Sequence, residues 1–371
     1  MSARARLRRS AAVAFVSAIT AGSALLLTAC DPSADANAAK SGTVAPGAAT
    51  GSPSAPASAA PSASASASTT ASPSAPASPS SSASAPADRP SATPTKAALN
   101  LTKGTGLTIS NGTRYVVMDG KVVDFGTVVR DLAWSPDGKH AAFIDGNGNL
   151  ETSDPDGSHK VLIAKAPSGV TWSHPTWQVY TPDTAEASAV GYPKAKNNLL
   201  FTADDRGALR LFGVPAQADA APKPLSLGTF SDDNVKPLPE SGNQWLNAGG
   251  RFGSSVYANK NDGQVYLRDD YLRQQGAAVS KGSQPDLSDE GDLVFVRSVD
   301  GHDHLFTKTG GYNGPERDIT PKATVDYTEP TFSPDGATIA FRAPDGIYTM
   351  PAKGGTPKKV SDTVGLPAFR G

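Results

Sequence analysis

Cysteine is almost absent from this chain of 371 residues, which contains only Cys30. No disulfide can form within one chain, so the head of the protein must be stabilised by its core. A basic surplus is also missing, since after residue 100 there are 27 lysines and arginines against 32 aspartates and glutamates. Phosphate backbones are bound by clustered basic side chains, and we therefore predict no nucleic-acid partner.

Catalytic motifs are lacking as well. The sequence has no Gly-x-Ser-x-Gly elbow, no phosphate loop and no dinucleotide fingerprint. His302 and His304 lie two residues apart and would face one way on a strand, but no third metal ligand is evident, so we favour a structural or exposed role. We predict a protein that is not an enzyme, with no catalytic residues, no cofactor and no metal site.

The stretch from Asp145 to Asn149 superficially resembles a calcium-binding loop. It lacks the glycine at the sixth position and the glutamate at the twelfth position of such a loop. Asp, Asn and Gly are also the residues that tight turns require. We therefore predict a hairpin turn without a metal.

The first thirty residues predict a targeting signal. An arginine-rich start is followed by an uncharged apolar run over residues 11–29 and by the sequence LTAC, which ends at Cys30. This order resembles the signal of bacterial lipoproteins, in which the thiol of the cysteine receives the lipid. The alternative is an ordinary signal peptide with an incidental cysteine. The resemblance implies a signal peptide over 1–29 and a lipid anchor at Cys30 on the outer, extracytoplasmic face of the bacterial cell membrane.

A segment without charge follows the signal. No charged or aromatic residue occurs between Ser41 and Ala87, where Ala, Pro and Ser dominate. Such a composition cannot bury enough apolar surface to offset the entropy of ordering, so we predict a disordered tether over 30–100. Its inferred role is a spacer, and the alternative is sequence drift without a function. The head then covers 101–371.

The head contains an internal repeat. The stretches LAWSPDGKHAAF and PTFSPDGATIAF each have an aromatic residue before a Ser-Pro-Asp-Gly turn and a phenylalanine nine residues after that aromatic. Proline fixes φ at the second position of a turn and glycine accepts positive φ at the last, which predicts a tight connection between two strands. The two turns comprise Ser135, Pro136, Asp137 and Gly138, and Ser333, Pro334, Asp335 and Gly336.

Weaker copies extend the repeat through the head. The slot before the turn, which we call the anchor, is assigned to Trp134, Trp177, Trp245, Leu287, Phe332 and Phe369. Three of the five intervals are 42 to 45 residues, the length of a four-stranded propeller blade. Stretches such as AWSPDGKHAAF and EPTFSPDGATIAF resemble the repeats of TolB-type six-bladed propellers. The resemblance implies an all-β, six-bladed β-propeller of four-stranded antiparallel blades.

The last residues, GLPAFRG, predict how the ring closes. The stretch GLTISNGTRYVVMDGKVVDFG holds three short strands joined by Asn-Gly and Asp-Gly turns, which makes a blade without its inner strand. Unpaired sheet edges are avoided in stable folds. We predict that Phe369 and its neighbours pair with the strand at Leu107, giving a blade of three strands plus one.

Inserted loops and the connections before inner strands supply the candidate ligand-binding residues, because propellers bind through such segments. Aromatic and acidic side chains in these places would grip a peptide or a sugar, whereas the alternative is packing typical of the repeat. The candidates are Trp172, His174, Tyr180, Tyr192, Asp232, Asp233, Tyr327 and Glu329.

Two functions follow from these observations. The first is a non-enzymatic binding or scaffold module for a protein or cell-wall ligand, held at the membrane through Cys30. The alternative is a metal-dependent propeller hydrolase, similar to calcium-containing lactonases, which requires several Asp, Asn and Glu side chains converging on the channel.

Overall fold

The computed structural model describes residues 98–183, 194–227, 238–249, 253–268, 276–311 and 313–371. All regular structure in these ranges is β-strand, in line with the predicted all-β class. No helix suited to crossing a membrane occurs among the described residues.

The head forms six antiparallel sheets of four strands each, which are the six predicted blades. Blade 1 has the order β24-β1-β2-β3, blade 3 is β8 to β11, and the other blades also take four successive strands. The strands are β1 (Leu107–Ser110), β2 (Tyr115–Met118), β3 (Lys121–Asp124), β4 (Arg130–Trp134), β5 (Ala141–Ile144), β6 (Leu150–Ser153), β7 (Val161–Ala164), β8 (Val170–Tyr180), β9 (Lys196–Asp205), β10 (Ala208–Pro215), β11 (Lys223–Pro224), β12 (Asn243–Gly249), β13 (Ser254–Asn259), β14 (Gln264–Arg268), β15 (Gly276–Lys281), β16 (Ser283–Leu287), β17 (Leu293–Val299), β18 (His302–Lys308), β19 (Glu316–Asp318), β20 (Thr328–Phe332), β21 (Thr338–Ala343), β22 (Gly346–Pro351), β23 (Lys358–Ser361) and β24 (Leu366–Phe369).

The Ser-Pro-Asp-Gly turns connect the first and second strands of their blades, as predicted. In the first copy the Ser135 hydroxyl donates to Asp137 Oδ1 at 2.7 Å and accepts from the backbone N–H of His140 at 3.0 Å. The second copy repeats this at Ser333, with Asp335 Oδ1 at 2.6 Å and the N–H of Thr338 at 2.9 Å. The serine therefore closes the turn from inside, which explains its presence in both copies.

The Asp145 segment is the predicted hairpin turn. Asp145 Oδ1 accepts the backbone N–H groups of Asn147 and Asn149 at 2.8 and 2.7 Å, and Gly148 has a φ of 85°. The carboxylate thus satisfies the turn's own donors between β5 and β6.

A buried apolar residue at the middle of each second strand forms the central layer of the core. In each blade the anchor of the first strand pairs with a residue of the second strand, and the buried residue lies two positions after that residue. Each of these side chains is 0% exposed. Burying a side chain of this size contributes about 2 to 3 kcal/mol. From blade 1 to blade 6 these residues are Ile109, Phe143, Phe201, Tyr257, Phe295 and Phe341.

The ring closes as predicted, through β24. Phe369 pairs with Leu107 and Leu366 pairs with Ser110, so the last strand is the inner strand of blade 1. Arg370 then reaches blade 2, where its guanidinium lies 5.3 Å from the centre of the Trp134 ring and its Nε donates to the Gly138 carbonyl at 2.7 Å. A Cβ at Gly138 would collide with the backbone of Gly371, so the turn glycine is also required for closure.

One anchor was assigned wrongly. In blade 4 it is Ala248, not Trp245, that pairs with the first residues of the second strand, at Ser255. Trp245 lies three residues earlier, at a bulge where its φ is 56°. The sequence NQW ends in an aromatic residue, but the strand register places that residue on the channel and leaves a small residue in the anchor slot.

Candidate functional site

Five inner strands carry the same irregularity at the same position. In each of blades 2 to 6, a non-glycine residue three positions before the anchor has a φ between 48° and 56°. At each of these positions the ladder with the second strand loses register, which is the mark of a β-bulge. We call this set the bulge ring: Asp131, His174, Trp245, Gln284 and Glu329.

The bulge ring surrounds the central channel. All five residues line one cavity of about 210 Å³, together with the anchors and the ends of the inner strands. Leu366 holds the corresponding position of blade 1 and lines the same cavity, but β24 pairs without a register shift. The channel is thus encircled by six topologically equivalent residues of different chemistry.

Three of the bulges are followed by a proline. Pro175, Pro285 and Pro330 directly follow three members of the bulge ring, and all three are buried. A proline cannot donate to a ladder and is tolerated at a sheet edge. The inner strands are such edges, so the missing N–H groups lie where no fifth strand could pair.

Side chains from one blade cap the exposed edge of the next. Asp131 Oδ2 accepts the backbone N–H of His174 at 3.1 Å, and Gln284 Oε1 accepts that of Glu329 at 2.6 Å. Two residues further along, Thr176 Oγ1 accepts the N–H of Ala248 at 3.0 Å. The inner edges are therefore held together around the ring by side-chain oxygens.

Asp286 takes part in the same capping. Its Oδ2 accepts the N–H of Phe332 at 2.7 Å across the boundary between blades 5 and 6. The carboxyl is buried, and burial raises its pKa to about 6 although the N–H donors oppose the rise. This residue is thus an acid of near-physiological pKa in the channel wall.

Glu329 is a member of the bulge ring whose pKa is raised. Burial raises its pKa to about 7, Asp131 adds to the rise by repulsion, and Arg342 opposes it. Arg342 Nη1 lies 3.1 Å from Glu329 Oε2, but the two groups do not align as a hydrogen bond. The side chain is 9% exposed. The channel wall therefore holds a buried carboxyl whose neutral form is favoured by its surroundings.

His174 lies between an acid and an aromatic ring. Burial lowers its pKa, and Asp131, whose Oδ2 is 4.0 Å from Nδ1, works in the opposite direction. The Trp245 ring meets the imidazole edge-on with 4.2 Å between the ring centres. The imidazole is thus held in place and favours its neutral form.

Two anchor tryptophans differ in one hydrogen bond. Trp134 Nε1 donates to Thr108 Oγ1 at 2.9 Å, whereas Trp177 Nε1, which is buried in the channel wall, has no partner. The residue of blade 2 that corresponds to Thr108 in register is Ala142, which has no acceptor. A buried unpaired donor is costly, so the Trp177 indole lacks a stabilising hydrogen bond that Trp134 has.

The candidates predicted from the sequence fall into three groups. His174 and Glu329 come together on the bulge ring. Trp172 and Tyr327 pack in the core instead, with ring centres 4.6 Å from Phe201 and 4.8 Å from Phe341, respectively. Tyr180 is buried at the end of β8. Cys30, Tyr192, Asp232 and Asp233 lie outside the described residues.

Asp131, Trp245, Gln284 and Leu366 were missed. A signal for them exists, because HPTW, QPDL, EPTF and LPAF share a proline two residues before the anchor, and DLAW aligns with them. The first residue of each of these four-residue stretches is the one that lines the channel. Trp245 begins WLNA in the same way, but its aromatic ring fits the anchor pattern better.

Histidine pairs do not assemble a metal centre in the ranges the structure describes. His304 Nδ1 lies 2.8 Å from Asp318, and His302 Nδ1 lies 3.5 Å from Asp326. Each imidazole thus has its own carboxylate. Among the described residues no group of three or more His, Cys, Asp and Glu is placed to hold an ion.

No family model matches the chain. A flagellin of Salmonella choleraesuis is 23% identical over 204 residues, and the match covers 55% of this chain but only 39% of the flagellin. Among solved structures, TolB from Acinetobacter baumannii is similar with a TM-score of 0.52 and 16% identity, over 71% of this chain and 65% of that chain. A putative TolB from Agrobacterium tumefaciens reaches a TM-score of 0.42 with 18% identity, over 71% and 88% of the two chains. The likeness to the first TolB structure shows that this chain has the same kind of fold, a six-bladed propeller.

Proposed function

We propose that this protein is a lipid-anchored, extracytoplasmic binding module whose propeller channel receives a segment of a protein or cell-envelope ligand. The anchor is Cys30 and the spacer is the Ala/Pro/Ser-rich tether, both inferred from the sequence. The head supplies the ligand site. No residue is assigned a catalytic role.

The bulge ring is the observation that carries the proposal. A non-glycine residue in the left-handed region costs about 1 to 3 kcal/mol, and such strain concentrates at ligand sites. Here it recurs at five equivalent positions, which all line one channel. Packing of the blades does not require it, because blade 1 closes its inner strand without a bulge.

The charge of the channel indicates the kind of ligand it suits. Acidic residues line it, including Asp131, Asp286 and Glu329, and no lysine or arginine occurs among the described lining residues. The Trp245 ring adds an aromatic face. A cationic or donor-rich segment, such as part of a peptide, complements these groups through charge and cation–π contacts.

The alternative, a metal-dependent hydrolase, would use the same acids. Their oxygens, however, already accept backbone N–H groups, as at Asp131 and Asp286. A ligand set for a calcium ion needs six or more oxygens that are free to turn toward it. The present arrangement favours capping of strand edges, and we rank binding first.

Site-specific crosslinking tests the proposal. A photoreactive amino acid replaces Leu366, which lines the channel and whose aliphatic side chain has no hydrogen bond to lose. The matched control replaces Val122 on the outer strand of the same blade, where 62% of the side chain is exposed. In cells that make the protein, we expect a discrete crosslinked partner only at Leu366. Equal patterns at both positions would reject the channel as the ligand site.

Thermal unfolding with and without calcium distinguishes the two proposed functions. The purified chain is melted with calcium and with chelator. Binding without a metal predicts the same midpoint in both, whereas a channel-bound ion predicts a rise with calcium that is lost in the Asp131→Asn variant.

A further inference from the structure

A second cavity lies on blade 3, beside the connection that leads into it from blade 2. Its volume is about 260 Å³, and it shares no lining residue with the channel. The lining combines aromatic and aliphatic side chains with cations, and Trp172 forms part of it. Trp172 is thus one of the residues that the sequence singled out and the channel does not use.

The cavity exists because blade 3 has longer strands than its neighbours. Strand β8 begins seven residues before its anchor, whereas β4, β16 and β20 begin four residues before theirs. The additional residues include Val170 and Trp172. Strands β9 and β10 extend with β8, so blade 3 continues past the ends of the adjacent sheets.

Small residues in the middle of this extension leave the space. Ala203 pairs with Trp172 on one side and Arg210 on the other, and Ala208 pairs with Asp205. These side chains share one face of the sheet, since paired residues point the same way. The Trp172 and Phe212 rings bound the gap that the alanines leave.

The connection after β7 and a crossing segment after β10 close the cavity. The chain after β10 returns to blade 2, where the N–H groups of Asp219 and Ala220 donate to the carbonyls of Leu162 and Ile163 at 3.2 and 2.9 Å. This segment carries Pro222 to one wall of the cavity. The enclosure is therefore fixed by backbone hydrogen bonds.

The rim of the cavity is cationic. Lys165 and Arg210 are both exposed lining residues, and neither lies within ion-pair distance of a carboxylate in the part of the chain that the structure describes. The one acid of the lining, Asp205, is engaged by Arg206, whose Nε lies 2.8 Å from Oδ1. The pKa of Asp205 is lowered mainly by Arg206 and to a smaller extent by the charge of Arg210. Two cations beside an apolar, aromatic interior complement a molecule with one anionic group and one aromatic body.

We propose that this cavity binds a small aromatic carboxylate, with its rings against Trp172 and Phe212 and its carboxylate between Lys165 and Arg210. A dry cavity of about 150 Å³ takes up benzene, so about 260 Å³ suits a two-ring aromatic acid. The site is independent of the proposed channel ligand, and each is tested without reference to the other.

Titration calorimetry of the full chain with 2-naphthylacetate tests the proposal. The neutral probe 2-naphthylethanol has the same rings without the charge. We expect one site per chain and at least fivefold weaker binding of the alcohol. Absence of saturable binding of the acid at millimolar concentration, or equal affinity for the two probes, would overturn the proposal.

Variants locate the site. Ala208→Leu fills the cavity and should abolish binding of the acid, and an unchanged melting temperature verifies that the head still folds. The double variant Lys165→Gln, Arg210→Gln should bind the acid at least tenfold more weakly. Its affinity for the alcohol should change by less than twofold, which also shows that the cavity is intact. Lys121→Gln removes a charge on blade 1 and should have no effect. Binding of the acid that survives both cavity variants would refute the assignment.

Discussion

Glu329 shows how burial in the channel wall raises the pKa of a single carboxyl. Its folded-state pKa is raised from 4.5 to about 7 by burial, so folding favours the protonated acid. For a raised pKa, the stabilising contribution is fully present below pH 4.5 and is lost as the pH rises through 7. The loss amounts to about 3 kcal/mol at 1.36 kcal/mol per unit.

Glu329→Gln, which mimics the neutral acid, tests this pH dependence. We expect the variant to match the parent protein near pH 4.5 and to be more stable by up to about 3 kcal/mol above pH 7. Urea unfolding at a series of pH values measures the difference. The exposed Glu240 gives the matched control, Glu240→Gln, which should show no such trend. A difference that stays constant with pH would contradict the raised pKa.

Thr108 makes the second prediction at this scale. Its Oγ1 accepts from Trp134 Nε1 at 2.9 Å and donates to the Ala368 carbonyl at 2.9 Å. Thr108→Val keeps the shape but leaves the buried indole unpaired, which should cost about 2 kcal/mol. Urea unfolding measures the loss. In a Trp134→Phe background the cost should fall by about half, and an undiminished cost would show that the indole does not contribute.

At the scale of elements, the turn serine is retained where the proline of the motif is absent. In blade 5 the turn lacks the proline, yet Ser288 Oγ still accepts the N–H of Asp292 at 2.9 Å, as Ser333 Oγ accepts that of Thr338. The physical requirement of the turn is thus an acceptor for a strand donor. The proline and glycine improve the backbone fit.

Ser288→Ala and Ser333→Ala should therefore destabilise the head by similar amounts, about 1 kcal/mol each. Ser168→Ala, at an exposed turn position before β8, provides the control and should be neutral within about 0.5 kcal/mol. Denaturant midpoints measure all three. A neutral Ser288→Ala with a costly Ser333→Ala would mean that the degenerate turn does not depend on its serine.

The elements also show what the sequence could reveal. Turn chemistry and alternation identified the blades, because Ser-Pro-Asp-Gly, Asn-Gly and Asp-Gly each specify one local geometry. Of the five residues of the bulge ring, only His174 and Glu329 were identified from the sequence as candidate ligand-binding residues. A bulge shifts register by tertiary pairing between strands, and no local propensity distinguishes Trp245 on the channel from a tryptophan in the anchor slot. The longer strands of blade 3 were missed for the same reason, so Trp172 looked like a loop residue.

At the scale of the whole molecule, the sequence predicts a lipid anchor and a tether at one end, and the structure places the closing strand at the other. The composition of residues 32–95 cannot support a packed core. Residues 365–371, in contrast, supply the inner strand of blade 1 and the contacts of Arg370 with blade 2. The two segments should therefore differ sharply in their importance for stability.

Deletion of 365–371 removes the four residues of β24, their pairing with β1 and the cation–π contact of Arg370 with Trp134. We expect a loss on the order of 5 kcal/mol from unpaired backbone groups and exposed apolar surface, together with a strong fall in the melting temperature. Deletion of 32–95 should leave the melting temperature within about 2 °C, since the composition of this segment cannot support a packed core. Melting of both deletion variants beside the intact chain provides the comparison, and equal midpoints for the two would refute closure by the terminal strand. Arg370→Gln separates strand pairing from the contact with blade 2, and should cost only about 1 kcal/mol.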